Sequence, residues 1–219
     1  MSLNYQKARD LMVENQLRPN KIKDPVLLKL FRDIPKEDFL PNKIKAIPYS
    51  DMDIDLNSKR GYLKNLHIAQ LIKYAEIKKN HKILHLGAMT GYVTSLLSCL
   101  CLKIIAIESD EKFFMKLQNN IDNLDANNIK IVKESLNHGF NSEAPYDIVF
   151  IDTPIKSFNK KILKHLKKNL GKIIMIEKVN DNLSKAVKIT NNDNSFSKEF
   201  LFDVFSKYEL FDHKKEFIF

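Results

Sequence analysis

The chain has no tryptophan, only 5 glycines and 2 cysteines among 219 residues, and no apolar stretch approaching the length of a membrane span. Each scarcity removes a class of explanation. Without such a run, and without the apolar segment and charged flank of a secretory leader, neither membrane spanning nor export is expected, and the expected compartment is the cytoplasm. Cys99 and Cys101 flank a single residue, which is poor geometry for a mutual disulfide, and no Cys or His stands at metal-ligand spacing around them. They read as reduced, packed thiols, and no metal is expected. A chain of this length buries roughly 70% of the surface its unfolded form exposes, so one domain needs no such staple.

Positive charge is plentiful: 36 Lys+Arg against 27 Asp+Glu give a formal +9. That excess suits a binder of nucleic acid or of acidic surfaces. The lysines are scattered, however. Lys78, Lys79 and Lys82 precede an apolar strand, Lys160, Lys161, Lys164, Lys167 and Lys168 share a run with helical spacing, and Lys214 and Lys215 lie near the end. Aromatic residues able to stack on bases do not interleave them. The accompanying abundance of Asn and Ile and the shortage of Arg and Gly match the bias of an AT-rich coding sequence, so solvated faces account for the charge. Nucleic acid is not the expected partner, although a reading with the charge as the function stays open.

The first 40 residues predict two helices. Leu3, Ala8, Leu11 and Met12 recur at helical spacing, and Asp24-Pro25 supplies a cap and a first-turn proline before Val26, Leu27, Leu28, Leu30 and Phe31. Pro35 ends the second. From Phe39 to Arg60 periodicity is lost around Pro41, Pro48 and the acidic Asp51, Asp53 and Asp55, which predicts a long loop of the kind that often carries function. A helix from Leu66 to Ile77 follows. Short apolar runs at Ile83–Leu86, Lys103–Ile107, Asn128–Lys133, Tyr146–Ile151 and Lys172–Ile176 then alternate with helical patterns at Tyr92–Leu100, Asp110–Leu124 and Asn159–Leu170. That rhythm predicts an α/β fold with a doubly wound, mostly parallel sheet. Ser184–Thr190 and Glu199–Phe205, separated by a polar Asn191-Asn192-Asp193-Asn194 turn, predict a terminal antiparallel hairpin, and Glu216–Phe219 a last strand. One domain is expected over residues 1–219, with a helical extension and loop over 1–65 and the sheet core over 66–219.

The most informative stretch is Lys82-Ile-Leu-His-Leu-Gly-Ala-Met-Thr-Gly-Tyr92, an apolar strand entering a glycine-bearing turn and a helix. At the carboxyl end of a parallel strand such a turn offers backbone N–H groups to a nucleotide-like ligand. With Glu108 ending the next strand, the order of elements resembles a class I S-adenosylmethionine-dependent methyltransferase. Further segments resemble the protein-L-isoaspartate O-methyltransferase family, in a divergent proteobacterial-type branch. They are Met12-Val13-Glu14-Asn15-Gln16-Leu17, Asp24-Pro25-Val26-Leu27, Ile34-Pro35-Lys36-Glu37-Asp38-Phe39-Leu40-Pro41, Pro48-Tyr49-Ser50-Asp51, the Leu86–Tyr92 turn, Gly139-Phe140 with Glu143-Ala144-Pro145-Tyr146-Asp147, and Leu201-Phe202-Asp203 with Phe217-Ile218-Phe219.

The resemblance implies a Rossmann-like fold and S-adenosylmethionine as cofactor, with isoaspartyl-containing proteins or peptides as partners. It implies methyl transfer to the isoaspartyl carboxylate, after which the neighbouring amide nitrogen attacks the ester carbonyl and displaces its methoxy group as methanol to form a succinimide. It places the cofactor against His85, Gly87, Ala88, Met89, Thr90, Gly91, Tyr92, Glu108 and Ser109, with Ser135 at the family's adenine-side acid and Glu134 beside it. The chain departs from the family at several of these positions. Met89 stands where the family has its middle glycine, and His85 replaces an acid that organises the methionine end of the cofactor. The family's Thr-x-Ser pair falls on Gly61 and Leu63, leaving Ser58 and Tyr62 as the nearest hydroxyls. Ser58 and Asp152 are the catalytic candidates, the latter against a helix-cap reading; Asp51 matches a family position, whereas Asp53 and Asp55 read as solvated. Another acceptor, or a degenerate binding module that has lost catalysis, remain the alternatives to a repair enzyme.

Overall fold

The computed structural model describes residues 4–45, 47–136, 140–193 and 195–210. Leu3, Gly139, Asn194, Lys214, Lys215 and the strand expected at Glu216–Phe219 lie outside them.

Local chemistry sets the helix boundaries. Helix α1 (Tyr5–Met12) runs into a wider turn at Val13–Leu17, and α2 spans Pro25–Asp33. The Asp24 carboxylate accepts from the N–H groups of Val26 and Leu27, and Pro25 takes the first helical position, where its missing N–H costs nothing. After the two short strands β1 (Ile54–Asp55) and β2 (Gly61–Tyr62) comes α3 (Asn65–Ala75), which closes at Glu76 in a left-handed conformation. The alternation then begins: β3 (Lys82–Leu86), α4 (Tyr92–Ser98), β4 (Lys103–Glu108), α5 (Glu111–Asp122), β5 (Ile129–Lys133), β6 (Ile148–Ile155) and β7 (Lys172–Lys178). In α5, Phe113, Leu117 and Ile121 recur every fourth residue and are the ones buried, while Asp110 caps its first turn. The chain ends its described part with β8 (Ser184–Asn191) and β9 (Phe196–Val204).

The main sheet has seven strands in the order β5-β4-β3-β6-β7-β8-β9. Strands β5 to β7 pair in parallel, and β8 and β9 complete the sheet antiparallel, as the terminal hairpin pattern predicts. Connections leave β3 toward β4 on one side and reach β6 on the other, so the carboxyl ends of β3, β4 and β6 bound the crevice in which doubly wound sheets bind ligands. The outermost strand among the described residues, β9, exposes Phe196 and Phe200; the Lys185 amine lies 5.7 Å from the Phe200 ring centre, and Lys198 pairs with Glu177.

One expectation is corrected. Residues Asn159–Leu170 do not form an α-helix: only a tight turn at Lys160–His165 is present. The backbone that follows it is claimed by the sheet, with Tyr146 N–H donating to His165 O, Lys167 N–H donating to Tyr146 O, and Tyr146 and Leu166 forming a parallel bridge. Lysine spacing imitated a helical face where extended backbone pairing won. Tyr146 itself precedes β6, which runs on to Ile155, four residues past the expected end. Leu11, counted on the buried face of α1, is half exposed.

The N-terminal extension is not an appendage. Met12, Val13, Leu17 and Phe31 share one buried cluster with Ile83, Phe150 and Ile174 of the sheet. We therefore expect Phe31→Ala to cost about 3–5 kcal/mol and to leave a single unfolding transition, measured by urea denaturation with far-ultraviolet and fluorescence signals. A separate low-stability transition for the first 40 residues would contradict this packing.

Candidate functional site

The turn after β3 is buried throughout, from Gly87 to Tyr92. Gly87 and Gly91 take positive φ values of 80° and 100°, which glycine adopts without strain, and Met89 takes φ 52°, which costs a side-chain-bearing residue. The Met89 side chain joins the core cluster with Tyr62 and Tyr92. The N–H groups expected to face a ligand have acceptors within the protein. Gly87 and Ala88 donate to Ile107 O, Gly91 to Ala88 O, Tyr92 to the Tyr62 hydroxyl at 3.1 Å, and Met89 to Glu108 Oε2 at 2.8 Å. Thr90 is fixed by its hydroxyl, which donates to Phe39 O and meets the Tyr62 hydroxyl at 2.7 Å.

Glu108 is the centre of the site. It ends β4 fully buried, not solvated at the start of the helix that follows. Its carboxylate accepts from Arg60 Nη1 (2.7 Å) and from the Ser109 and Asp110 N–H groups on Oε1, and from Arg60 Nη2 (2.8 Å) and the Met89 N–H on Oε2. Arg60 Nη2 also reaches Gly87 O at 3.2 Å, and the guanidinium lies 4.9 Å from the Phe113 ring centre. Both side chains of this pair are essentially removed from water. Such a pair is not a large net source of stability, but deleting one member strands the other charge and costs about 3–5 kcal/mol.

The replaced acid has a comparable outcome. His85 Nε2 lies 3.1 Å from Asp152 Oδ1 and its Nδ1 lies 2.9 Å from the Thr94 hydroxyl, all three buried. Asp152 sits within β6, which continues beyond it, so it caps no helix. A carboxylate is thus present beside position 85, supplied from the neighbouring strand. Glu134 is exposed and accepts from the Ser135 N–H, while Ser135 is buried. Ser109 is half-buried, its hydroxyl without a partner.

On the loop side, Ser58 lies exposed in the turn between β1 and β2, and the Tyr62 hydroxyl is committed to the α4 turn. Gly61 pairs with Asp55 across the β1–β2 ladder, and a Cβ there would stand 2.2 Å from Ile54 O and 2.5 Å from Tyr208 Cζ. A cavity of about 570 Å³ adjoins it, lined in part by Asp51, Asp53, Asp55, Lys64, His67 and Tyr208. The two aspartates expected to be merely solvated are engaged. Asp53 accepts from the Lys64 N–H, and Asp55 from Lys207 and the Tyr208 hydroxyl. His67, with Nδ1 unpartnered, is lowered to about 4 by burial and then by nearby Lys64.

Three residues of this region carry no legible sequence signal: Arg60, Leu210 and Thr94. Lys36 is fully buried between the rings of Tyr62 and Tyr92, at 5.5 and 5.3 Å, and donates to Asn65 Oδ1 at 3.0 Å. Burial lowers its amine to about 7, against the opposing charges of Asp53 and Asp152.

A doubly wound sheet with a glycine turn after its first core strand and an acid closing the next defines a Rossmann-like methyltransferase fold. Comparison narrows the class. The model of the protein-L-isoaspartate(D-aspartate) O-methyltransferase family matches residues 6–204, and the chain belongs to that family. It is 27% identical over 174 residues to protein-L-isoaspartate O-methyltransferase 2 of Shewanella sediminis, covering 80% of this chain and 71% of that protein. With a relative of the same name from Methanoculleus marisnigri it shares 24% identity, over 77% of this chain and 76% of the other. Among solved structures, one protein-L-isoaspartate O-methyltransferase superposes with a TM-score of 0.78 at 19% identity, over 90% of this chain and 64% of that longer one. Another, from Plasmodium falciparum and in complex with S-adenosyl-L-homocysteine, gives 0.73 at 18% identity, over 94% and 100%. These two likenesses bear on the fold.

Two predictions follow from the geometry around Gly61 and Lys36. Gly61→Thr, which would return the family's hydroxyl to that position, should destabilise the fold by about 2 kcal/mol or more, because a backbone carbonyl blocks the new Cβ; chemical denaturation measures it. For Lys36, the unfolded amine titrates near 10.5 and the folded one near 7, so between these values the unfolded chain binds the extra proton. Stability should therefore rise from pH 7 toward pH 9, by about 1 kcal/mol per pH unit, relative to Lys36→Met. Below pH 7 both forms are protonated and the slope vanishes. Parallel urea curves for the two proteins across this range would disprove the burial of an ionisable amine.

Proposed function

We propose that this chain is a protein carboxyl methyltransferase that takes methyl from S-adenosylmethionine and esterifies isoaspartyl carboxylates of damaged proteins, acting in the cytoplasm. The observation that carries the reading is the collinear match to the family over residues 6–204, which takes in the Gly87–Gly91 turn after β3 and Glu108 at the end of β4. Within it the cofactor wall comprises His85, Gly87, Ala88, Met89, Thr90, Gly91, Tyr92, Glu108 and Ser109, with Glu134 and Ser135 beyond. Asp152 is the carboxylate beside His85, at 3.1 Å, and Ser58 is the loop hydroxyl left uncommitted once Tyr62 is engaged. The acceptor is an ionised carboxylate and the donor a reactive sulfonium, so the protein's task is alignment and exclusion of water.

In this conformation the Glu108 carboxylate is closed to the cofactor. Both oxygens of Glu108 are filled by five N–H donors, leaving no acceptor for ribose hydroxyls, and no hydroxyl stands at Gly61 or Leu63. This mismatch favours a second reading, a methyltransferase fold retained as a binding module without catalysis. The two separate on one assay, transfer of labelled methyl to an isoaspartyl peptide, with the aspartyl peptide as control. The enzyme reading expects incorporation into the isoaspartyl peptide alone. Absence of incorporation from folded protein at millimolar cofactor would leave the binding module.

A further inference from the structure

The mismatch has a specific physical form. Arg60 holds the carboxylate that a ribose would require, touches the carbonyl of Gly87, and lies over Phe113. Leu210 packs against the same glycine: a Cβ added at Gly87 would meet Leu210 Cδ1 at 2.8 Å and Arg60 Nη2 at 3.4 Å. Leu210 is held there by its N–H, which donates to Pro154 O at 2.8 Å, and its neighbour Glu209 donates its N–H to Lys59 O at 2.9 Å. The Glu209 carboxylate is paired with Lys178 at 3.0 Å and Lys156 at 3.2 Å, and the Tyr208 hydroxyl donates to Asp55 at 2.7 Å. The 205–210 segment therefore runs from the β1–β2 hairpin to the end of β6 and lies across the crevice between them.

We propose that Arg60 and Leu210 form an internal plug of the cofactor cleft, an autoinhibitory contact that must open before a nucleoside cofactor can enter. The proposal rests on the methyltransferase reading, since it assigns the space beneath the plug to that cofactor. Arg60 occupies the site by charge, supplying two of the five donors to Glu108, and Leu210 by bulk, closing the approach to the Gly87 backbone. A protein whose competent state is a small fraction of the population binds its ligand weaker by that fraction, so a 1% open population lowers affinity about 100-fold. Removing either half of the plug shifts the population toward the open state and strengthens binding without creating any new contact.

The test is calorimetric titration of S-adenosylhomocysteine into the full chain, into Arg60→Ala and into Leu210→Ala, with the ligand-induced rise in Tm as an independent readout. Leu210→Ala leaves the Arg60–Glu108 pair intact, so the comparison survives if Arg60→Ala does not fold. The plug predicts weak binding by the unaltered chain, requiring millimolar ligand, and about tenfold or greater tightening in the variants, with correspondingly larger Tm shifts. Equal affinities in the unaltered chain and in folded variants would overturn the plug while leaving the methyltransferase reading in place. No binding by the unaltered chain or by any folded variant would overturn both, because nothing would then lie beneath the plug.

Discussion

The arrangement depends on one buried ion pair. Arg60 and Glu108 are 48 residues apart in sequence and come from opposite walls of the crevice, the hairpin and β4. Two planar groups in a bidentate geometry fix distance and orientation together, which a single contact could not do. The hairpin is thereby locked to the carboxyl edge of the sheet. The cation also compensates a carboxylate that would otherwise be stranded away from water, among the N–H groups of Met89, Ser109 and Asp110. Other features fall into place around that lock. Gly61 leaves room for Tyr208, Tyr208 reaches Asp55, and the segment bearing Leu210 lies where the pair has drawn the walls together.

A second set of polar contacts answers the loss of the acid at His85. The imidazole is held between Thr94 and Asp152, so a carboxylate on β6 lies beside the position where the acid of β3 is missing. Lys36 belongs to the same economy of buried charge: a mostly apolar niche of tyrosine rings accepts an amine only because Asn65 and the Leu63 carbonyl receive its hydrogens.

The sheet was legible because its strands are short apolar runs covered on both faces, and because Asp24-Pro25 and Asp110 announce helix starts by local chemistry. The family resemblance was legible for a different reason, the collinear order of several weak segments. Asn159–Leu170 failed because lysine spacing carries no information about whether backbone groups will be claimed by a neighbouring strand. Arg60 and Leu210 failed for a related reason. Each matters through a partner remote in the chain, and neither has a local signature beyond being an arginine beside vanished hydroxyls and a leucine past the last hairpin strand. The vacant family positions at Gly61 and Leu63 were a clue that the loop had been rebuilt. They did not tell what had been built instead.

The outer strand gives its charged residues a meaning independent of any ligand. A terminal β-strand with unpaired backbone groups and exposed aromatic rings is a template for adhesion between molecules. On β9 the rings of Phe196 and Phe200 are interrupted by Lys198, and Lys185 lies over Phe200. Charged gatekeepers at such an edge make stacking of a second chain electrostatically costly. Charged side chains of both signs, Lys198 with Glu177 and Lys188 with Glu199, thus stand between the aromatic rings at this edge of the described sheet, and a second chain pairing there would have to desolvate them.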